Sequence, residues 1–106
     1  MPQRRFLPIA LVAALSTACT WVKPDEAGSR VRVAYDGNAT GCTKVGEIGV
    51  GVRDRLMPGV ERNPLKVRDE LESLARNEAA ALGGDTIVAV DEPRGGEQRF
   101  IAYRCR

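Results

Sequence analysis

The chain contains no histidine, few aromatic side chains and no long apolar run. The absence of histidine removes the commonest general base near neutral pH and the commonest protein ligand of transition metals. With one Trp, two Tyr and two Phe, stacking platforms for nucleobases are not evident. The apolar segment 6–15 is about ten residues long, whereas a membrane-spanning helix needs about 20. These absences argue against histidine-based catalysis, nucleic-acid binding and a permanent transmembrane anchor.

The first 18 residues have the layout of a secretory signal. Arg4 and Arg5 form a short basic start, the apolar segment 6–15 follows, and small residues occupy 16–18. This layout predicts that residues 1–18 are a signal peptide rather than mature structure. Without the two arginines, 14 of the 16 basic residues remain against 14 acidic ones. This balance argues further against nucleic-acid binding, which needs a concentrated basic surface.

Cys19 directly follows this segment. The stretch Leu15-Ser16-Thr17-Ala18-Cys19 resembles the lipobox of bacterial lipoproteins, in which diacylglycerol is attached through the cysteine sulfur and a peptidase cuts before it. The leucine lies four residues before the cysteine rather than the usual three. We expect Cys19 to be the lipidation site that holds the chain to a membrane. The alternative is an ordinary cleaved signal with Cys19 free or in a disulfide.

The residues after Cys19 bear on where the anchor would lie. An aspartate directly after the lipidated cysteine is the familiar inner-membrane retention signal of enteric bacteria, and Thr20 stands there instead. We therefore expect a lipid-anchored protein of the cell envelope, on the outer membrane and facing the periplasm. Residues 19–29 are rich in Pro, Gly, Ser and charge, which predicts a lipidated tether with little to bury.

Three cysteines are an odd number for an exported protein. Lipid on Cys19 would leave Cys42 and Cys105 as one pair in an oxidising compartment, so the cysteine count supports lipidation independently of the lipobox. A Cys42–Cys105 bridge would close a loop of about 63 residues, which the chain-entropy model values at about 4 kcal/mol. A reduced pair is the alternative. A metal site is not expected, because two sulfurs without histidine fall short of the four ligands of zinc.

Residues 30–106 are predicted to form a single α+β domain. Asn63 as N-cap and Pro64 at the first helical position begin the clearest element, and Gly83 is suited to end it. Alternating or continuous apolar runs predict four strands around this helix. One amphipathic helix on a mostly antiparallel sheet of about four strands gives a small two-layer sandwich of order β-β-α-β-β. The predicted elements are strands 30–35, 42–52, 85–90 and 98–105 and a helix 64–82.

Three residues stand out as candidate binding residues. Gly49 and Gly51 lie on the face of the second strand opposite Ile48 and Val50. Glycine inside a strand marks a bulge or a close approach to the backbone, and the approaching group is either a covering helix or a ligand. Glu78 lies in or beside the apolar face of the helix, either as an edge carboxylate that reaches water or as a buried functional carboxylate. No catalytic constellation accompanies these residues, so neither an enzyme nor a cofactor is expected.

Five short segments, in their order and spacing, resemble the proteobacterial lipoprotein family called domain of unknown function 4156. They are residues 19–23, 42–46, 75–80, 83–86 and 102–105. The resemblance covers essentially the whole mature chain. That family has no established activity, so the resemblance implies location and fold rather than function. More distantly, the chain is similar to the outer-membrane lipoprotein sensor of the Rcs phosphorelay, which has two disulfides where only one can form here besides Cys19.

These observations together favour a bacterial envelope lipoprotein that is not an enzyme. We expect a protein-binding, structural or stress-sensing module. The alternative is a periplasmic domain that binds a small molecule or glycan through the glycine-rich second strand. The expected partners are the membrane, through the N-terminal lipid, and another envelope protein.

Overall fold

The computed structural model describes residues 24–57 and 59–106. Cys19, the signal segment and the start of the tether lie outside the described residues. A 3-10 turn at Gly28–Arg30 precedes the first strand. The elements that follow are β1 (Arg32–Val33), β2 (Thr43–Gly51), β3 (Arg55–Met57), β4 (Val60–Glu61), α1 (Pro64–Ala81), β5 (Thr86–Ala89) and β6 (Glu97–Arg104). Among the described residues, no helix is both long enough and apolar enough to cross a bilayer.

The main sheet has four strands in the order β1-β5-β6-β2. β1 runs parallel to β5, whereas the β5–β6 and β6–β2 pairs are antiparallel. The single helix and the mostly antiparallel sheet confirm the predicted α+β fold. The two-stranded ribbon β3–β4 was not predicted, since the segment 53–62 is short, charged and without clear alternation.

The helix begins and ends where local sequence signals place it. Asn63 Oδ1 accepts a hydrogen bond from the backbone N–H of Leu65 at 2.8 Å, with Pro64 at the first helical position. Gly83 has a φ of 84°, a left-handed conformation that glycine adopts without a steric cost. The N-cap and the glycine stop are therefore confirmed, and the helix ends at Ala81, one residue before the predicted end.

The hydrophobic core lies between α1 and one face of the sheet. Leu71, Ala75 and Ala79 of the helix are fully buried. The strand residues buried in the same core are Ile48, Ile87, Phe100 and Ala102. Burying a side chain the size of Leu or Phe contributes about 1.5–3 kcal/mol, so this layer supplies most of what holds helix and sheet together. We call the sheet face toward the helix the inner face and the opposite one the outer face.

Part of the segment predicted as tether is packed on the helix. The backbone N–H of Asp25 donates to Asn77 Oδ1 at 2.8 Å, and the N–H of Gly28 donates to Asp25 Oδ1 at 2.6 Å. A Cβ atom at Gly28 would collide with Asn77 Oδ1, so a larger residue there would displace the Asn77 side chain that holds Asp25. Val31 is then buried in the core. The folded structure thus includes Asp25, five residues before the predicted boundary at residue 30.

Candidate binding surfaces

Two of the three cysteines remain as a pair when Cys19 is set aside, and these two are joined in the structure. Cys42 and Cys105 form a disulfide with their Cα atoms 4.2 Å apart. Thr43 of β2 lies opposite Arg104 of β6. The bridge therefore continues the β2–β6 ladder by one residue pair and links an edge strand to its neighbour.

The carboxylate of Asp85 holds the chain beside this bridge. Asp85 Oδ1 accepts hydrogen bonds from the backbone N–H of Cys105 at 3.0 Å and from the hydroxyl of Thr86 at 2.9 Å. The Nε atom of Arg106 lies 3.6 Å from Asp85 Oδ2. The backbone hydrogen bond from Cys105, the Thr86 hydroxyl and the Arg106 charge together lower the pKa of Asp85, against the opposing effect of burial. Asp85 is therefore an ionised structural group rather than a poised proton donor.

The glycine-rich strand β2 is uncovered on its glycine side. Gly49 lies opposite Arg99, and Gly51 opposite Glu97. A Cβ atom at Gly49 would meet nothing within 4 Å. The helix packs instead on the face of Ile48, so of the two alternatives for Gly49 and Gly51, a covering helix or a ligand, the covering helix is wrong. The helix covers the apolar side of the strand because burying apolar side chains stabilises the folded state.

Two shallow grooves flank Gly49 on the outer face. One has a volume of about 340 Å³ and is bounded by Gly51 and Glu97. The other has a volume of about 300 Å³ and is bounded by Glu47 and Ile101. In the part of the chain that the structure describes, the only helix packs on the inner face, so these grooves are open to solvent.

Charged pairs surround the grooves. Lys44 Nζ lies 2.8 Å from Glu47 Oε2, and Arg99 Nη2 lies 3.0 Å from Asp91 Oδ2. The backbone N–H of Arg99 also donates to Asp91 Oδ1 at 3.1 Å, and these contacts lower the pKa of Asp91. Solvent screens exposed pairs of this kind, and each must hold two mobile side chains in one geometry. They keep the outer face polar around its glycine stripe and stabilise the fold little.

Glu78, the third candidate, is exposed on the helix surface. The hypothesis of a buried functional carboxylate at this position is wrong, and the edge carboxylate that reaches water is what the structure contains. Glu78 lines none of the grooves described for this surface. The structure does not bring it together with Gly49 and Gly51.

A deeper cleft, which the sequence did not predict, lies where β1 and β5 end against the middle of the helix. Its volume is about 380 Å³. The hydroxyl of Tyr35 donates to Glu72 Oε1 at 2.7 Å across its mouth. This hydrogen bond raises the pKa of Tyr35, helped by burial and by the Glu72 charge and opposed by the charges of Arg76 and Arg68. The lining residues are Val33, Ala34, Tyr35, Gly37, Arg68, Glu72, Val88, Ala89, Val90, Asp91, Glu92 and Gln98.

Tyr35 lies at this cleft because β1 ends at Val33, two residues before the predicted end of the strand at residue 35. The strand ends at Val33, and the N–H of Gly37 donates to the carbonyl of Ala34 at 3.0 Å, closing a turn. Ala34 is buried, whereas 73% of Tyr35 is exposed. The predicted strand 30–35 would place Tyr35 on the same face as Val31 by strand alternation. That prediction is wrong, since the turn interrupts the alternation.

Gln98 lines the same cleft from the buried side of β6. It is 5% exposed and in phase with Phe100 and Ala102 on the inner face. Its Nε2 atom donates to the carbonyl of Asp91 at 2.8 Å, while Oε1 has no hydrogen-bond partner among the described residues. A polar residue at an inward position of an apolar strand is a sequence signal that could have revealed this site. Within the described ranges, no group of three or more Cys, Asp or Glu side chains could hold a metal ion.

Comparison with known proteins identifies a family for this chain. Residues 22–105 match the model of a protein family described as Domain of unknown function (DUF4156). No curated protein and no solved structure matches the chain. The match spans both cysteines of the bridge, the outer face and the cleft. The more distant resemblance to the Rcs sensor is not shown by these comparisons.

Proposed function

We propose, from the premise that this chain belongs to the DUF4156 family, that it is a bacterial envelope lipoprotein without catalytic activity. In this proposal the chain is exported, cut before Cys19 and held to the outer membrane by lipid on that cysteine. Its folded domain binds another envelope protein. The observation that carries the proposal is the Cys42–Cys105 bridge.

The bridge supports export and lipidation together. Disulfides persist in oxidising compartments such as the periplasm and are rare in the cytosol. Since the bridge uses two of the three cysteines, Cys19 is left without a partner inside the chain. A single cysteine directly after a signal-like segment is what lipid attachment requires.

The contact between Asp25 and Asn77 limits how far the domain could stand from the bilayer. Asp25 is six positions after Cys19 and is hydrogen-bonded to the helix. Six extended residues span at most about 20 Å. An anchored domain would stay within roughly this distance of the lipid headgroups, so its partner is expected at the membrane surface rather than deep in the periplasm.

The free edge of β2 is the surface that we propose for this partner. Among the described residues, β2 is the last strand of the sheet order and is paired with β6 alone. The β-bulge between Lys44 and Gly46 disturbs its first part, and bulges and lysines are the usual protection of edge strands. The part from Ile48 to Gly51 has neither. An extended segment of an envelope protein could therefore add a strand there.

The backbone of this stretch presents donors to the free side. The N–H of Val52 donates to the carbonyl of Gly96 at 2.7 Å, toward β6. Because N–H direction alternates along a strand, the N–H groups of Gly49 and Gly51 point away from β6. A Cβ atom at Gly49 would meet nothing within 4 Å, so an incoming strand meets no side chain beside this residue on the outer side.

Intact mass of the membrane-extracted protein tests the anchor. We expect the mass of residues 19–106 plus a lipid adduct, gaining two hydrogens on reduction. The variant Cys19→Ser should remain in the soluble fraction with an intact bridge. A lipid-free mass for the unaltered protein would overturn the lipoprotein proposal.

A matched pair of variants at Gly49 tests the partner surface. Gly49→Pro removes one outward N–H, a change tolerated on the solvent side of an edge strand. Gly49→Ala keeps the N–H and adds a methyl group where nothing lies within 4 Å. When proteins are crosslinked on intact cells, Gly49→Ala should give the same crosslinked adducts as the unaltered protein, whereas Gly49→Pro should lose them. Equal adducts in both variants would contradict strand addition.

A domain that binds a small molecule or glycan is the second candidate. It is favoured by the two open grooves beside Gly49 and Gly51. Titration with the disaccharide of N-acetylglucosamine, followed by nuclear magnetic resonance, should shift the amide signals of both glycines. Unchanged signals at saturating sugar would remove this candidate.

A further inference from the structure

The cleft between α1 and the ends of β1 and β5 is not used by the proposed function. It is distinct from the free edge of β2, which lies at the opposite end of the sheet order from β1, although Gln98 of β6 lines both the cleft and one groove beside Gly49. Its volume of about 380 Å³ falls within the range of small-molecule sites, about 300–1,000 Å³. Three independent features of the cleft concern the chemistry of an occupant.

The first feature is a buried acceptor without a donor. Gln98 is 5% exposed, and its Oε1 atom has no partner among the described residues. The other end of the amide is fixed, because Nε2 donates to the carbonyl of Asp91 at 2.8 Å. Buried side-chain polar atoms are satisfied in the large majority of native structures. A ligand that brings an N–H or O–H group would supply the missing donor.

The second feature is the balance of charge in the lining. Glu72, Asp91 and Glu92 line the cleft, with Arg68 as the one guanidinium among the lining residues. Arg99 pairs with Asp91 at 3.0 Å without lining the cleft. Glu72 and Glu92 therefore outweigh Arg68, and the surplus is one negative charge.

The third feature is that the best-placed carboxylate is already oriented. Glu72 has 13% of its side chain exposed, and its Oε1 atom accepts the Tyr35 hydroxyl at 2.7 Å. Arg68 Nε lies 3.9 Å from the other oxygen, Oε2, beyond hydrogen-bond distance. Oε2 thus retains acceptor capacity. The Tyr35 ring, largely exposed beside it, offers an aromatic face of the kind that attracts cations.

We propose that this cleft binds a small ligand through a protonated amine. The ammonium group would donate to Gln98 Oε1 and Glu72 Oε2, with its carbon chain against Val33 of β1 and Ala89 of β5, which line the cleft on the inner face. Its charge would offset the surplus of carboxylate. The ammonium could belong to a free amine or to a lysine side chain of another protein, and both offer the same chemistry to the site.

Two probes of equal length test the charge requirement. Full-length ¹⁵N-labelled protein in a non-ionic detergent is titrated with 1,5-diaminopentane and, separately, with 1,5-pentanediol. The diamine should shift the side-chain amide signal of Gln98 and the backbone signals of Val33 and Ala89 saturably, with a Kd of about 1 mM or tighter. The diol should bind at least about tenfold more weakly, equivalent to about 1.4 kcal/mol. Equal binding of both probes, or shifts confined to other residues, would overturn the proposal.

Variants on one helix provide the control. Glu72→Gln removes the oriented carboxylate and should weaken diamine binding at least about tenfold. Glu78→Gln removes one charge from an exposed position outside the cleft and should leave the Kd within about twofold. Equal effects of the two variants would mean that the diamine responds only to net charge, which would overturn the site.

A second variant in the cleft tests the proposal independently in case Glu72→Gln fails to fold. Gln98→Met replaces the unsatisfied amide by an apolar side chain of similar length, and the folded amide spectrum should persist. This variant should also weaken the diamine at least about tenfold, and unchanged affinity would overturn the role of Oε1. A blocked tripeptide with a central lysine distinguishes the sources, since tighter binding of the peptide than of the diamine assigns the ammonium to a protein.

Discussion

Replacing both Cys42 and Cys105 by alanine is expected to lower the free energy of unfolding by about 4 kcal/mol. The bridge joins residues 63 apart in sequence. In the chain-entropy model, a closed loop of this length removes about 14 cal/mol/K from the unfolded ensemble, or about 4 kcal/mol at 25 °C. Domains of this size have a total stability of about 5–15 kcal/mol. The double variant should therefore keep its fold but with a small margin.

The structure explains why the native state should tolerate this loss. Thr43 and Arg104 remain paired in the β2–β6 ladder directly beside the removed sulfurs. The carboxylate of Asp85 still accepts the backbone N–H at position 105. The loss is then carried by the unfolded chain, whose conformational freedom increases, rather than by broken native contacts.

Urea unfolding, followed by circular dichroism, measures the effect. Parent and double variant should both carry Cys19→Ser, so that no free thiol can exchange with the bridge. With an m-value of about 1–3 kcal/mol/M, a loss of about 4 kcal/mol moves the midpoint down by about 1–4 M. A loss below about 1 kcal/mol with an unchanged m-value would refute the loop-entropy reasoning.

Three further predictions concern the core, the acid response and the N-terminal contact. Leu71→Ala should cost about 2–5 kcal/mol in urea unfolding because Leu71 is fully buried, whereas Leu65→Ala at a position 67% exposed should cost less than about 0.5 kcal/mol. Asp85→Ala should remove about 1–3 kcal/mol at neutral pH. The pKa of Asp85 is lowered in the folded state, so its contribution to the free energy of unfolding is complete above the unfolded pKa of about 3.9 and disappears as the pH falls through the lower folded value. The unaltered protein should therefore lose its stability advantage over Asp85→Ala in acid. A stability difference that stays constant with pH would contradict this. Gly28→Ala should break the contact with Asn77 and speed amide exchange in the 3-10 turn, and unchanged exchange would show that the turn is held by other contacts.

The helix could be predicted because its start and end depend on local residues. The bridge could be predicted because it follows from the number of cysteines. Asn63 and Pro64 determine a helix start by backbone chemistry alone, and Gly83 determines the stop. The cysteine pair follows from a count once Cys19 is set aside. Of the two neighbours considered for the glycine side of β2, the covering helix was wrong, although the apolar residues on the side of Ile48 already indicated which side is buried. Glycine was treated as a sign of a close neighbour when it left an open surface.

The cleft could not be predicted because its parts are distant in sequence. Tyr35 and Glu72 are 37 residues apart, and their contact depends on a turn that ends β1 early. Only Gln98 carried a sequence signal, as an amide at an inward position of an apolar strand. Where each side chain lies relative to the helix is decided by sheet order, since β5 is inserted between β1 and β6. Strand alternation contains no information about that order.

The position of the bridge also determines how the domain responds to a mechanical load. Tension applied between Asp25 and Arg106 would be transmitted along the chain to Cys42, where it would pass across the sulfurs to Cys105. The covalent link bypasses everything from β2 to β6, including the helix. Such a pull can detach only the 3-10 turn and β1, releasing about 18 residues, or roughly 60 Å of extended chain. The domain would then lengthen under tension by a fixed amount while the sheet edge of β2 stays assembled.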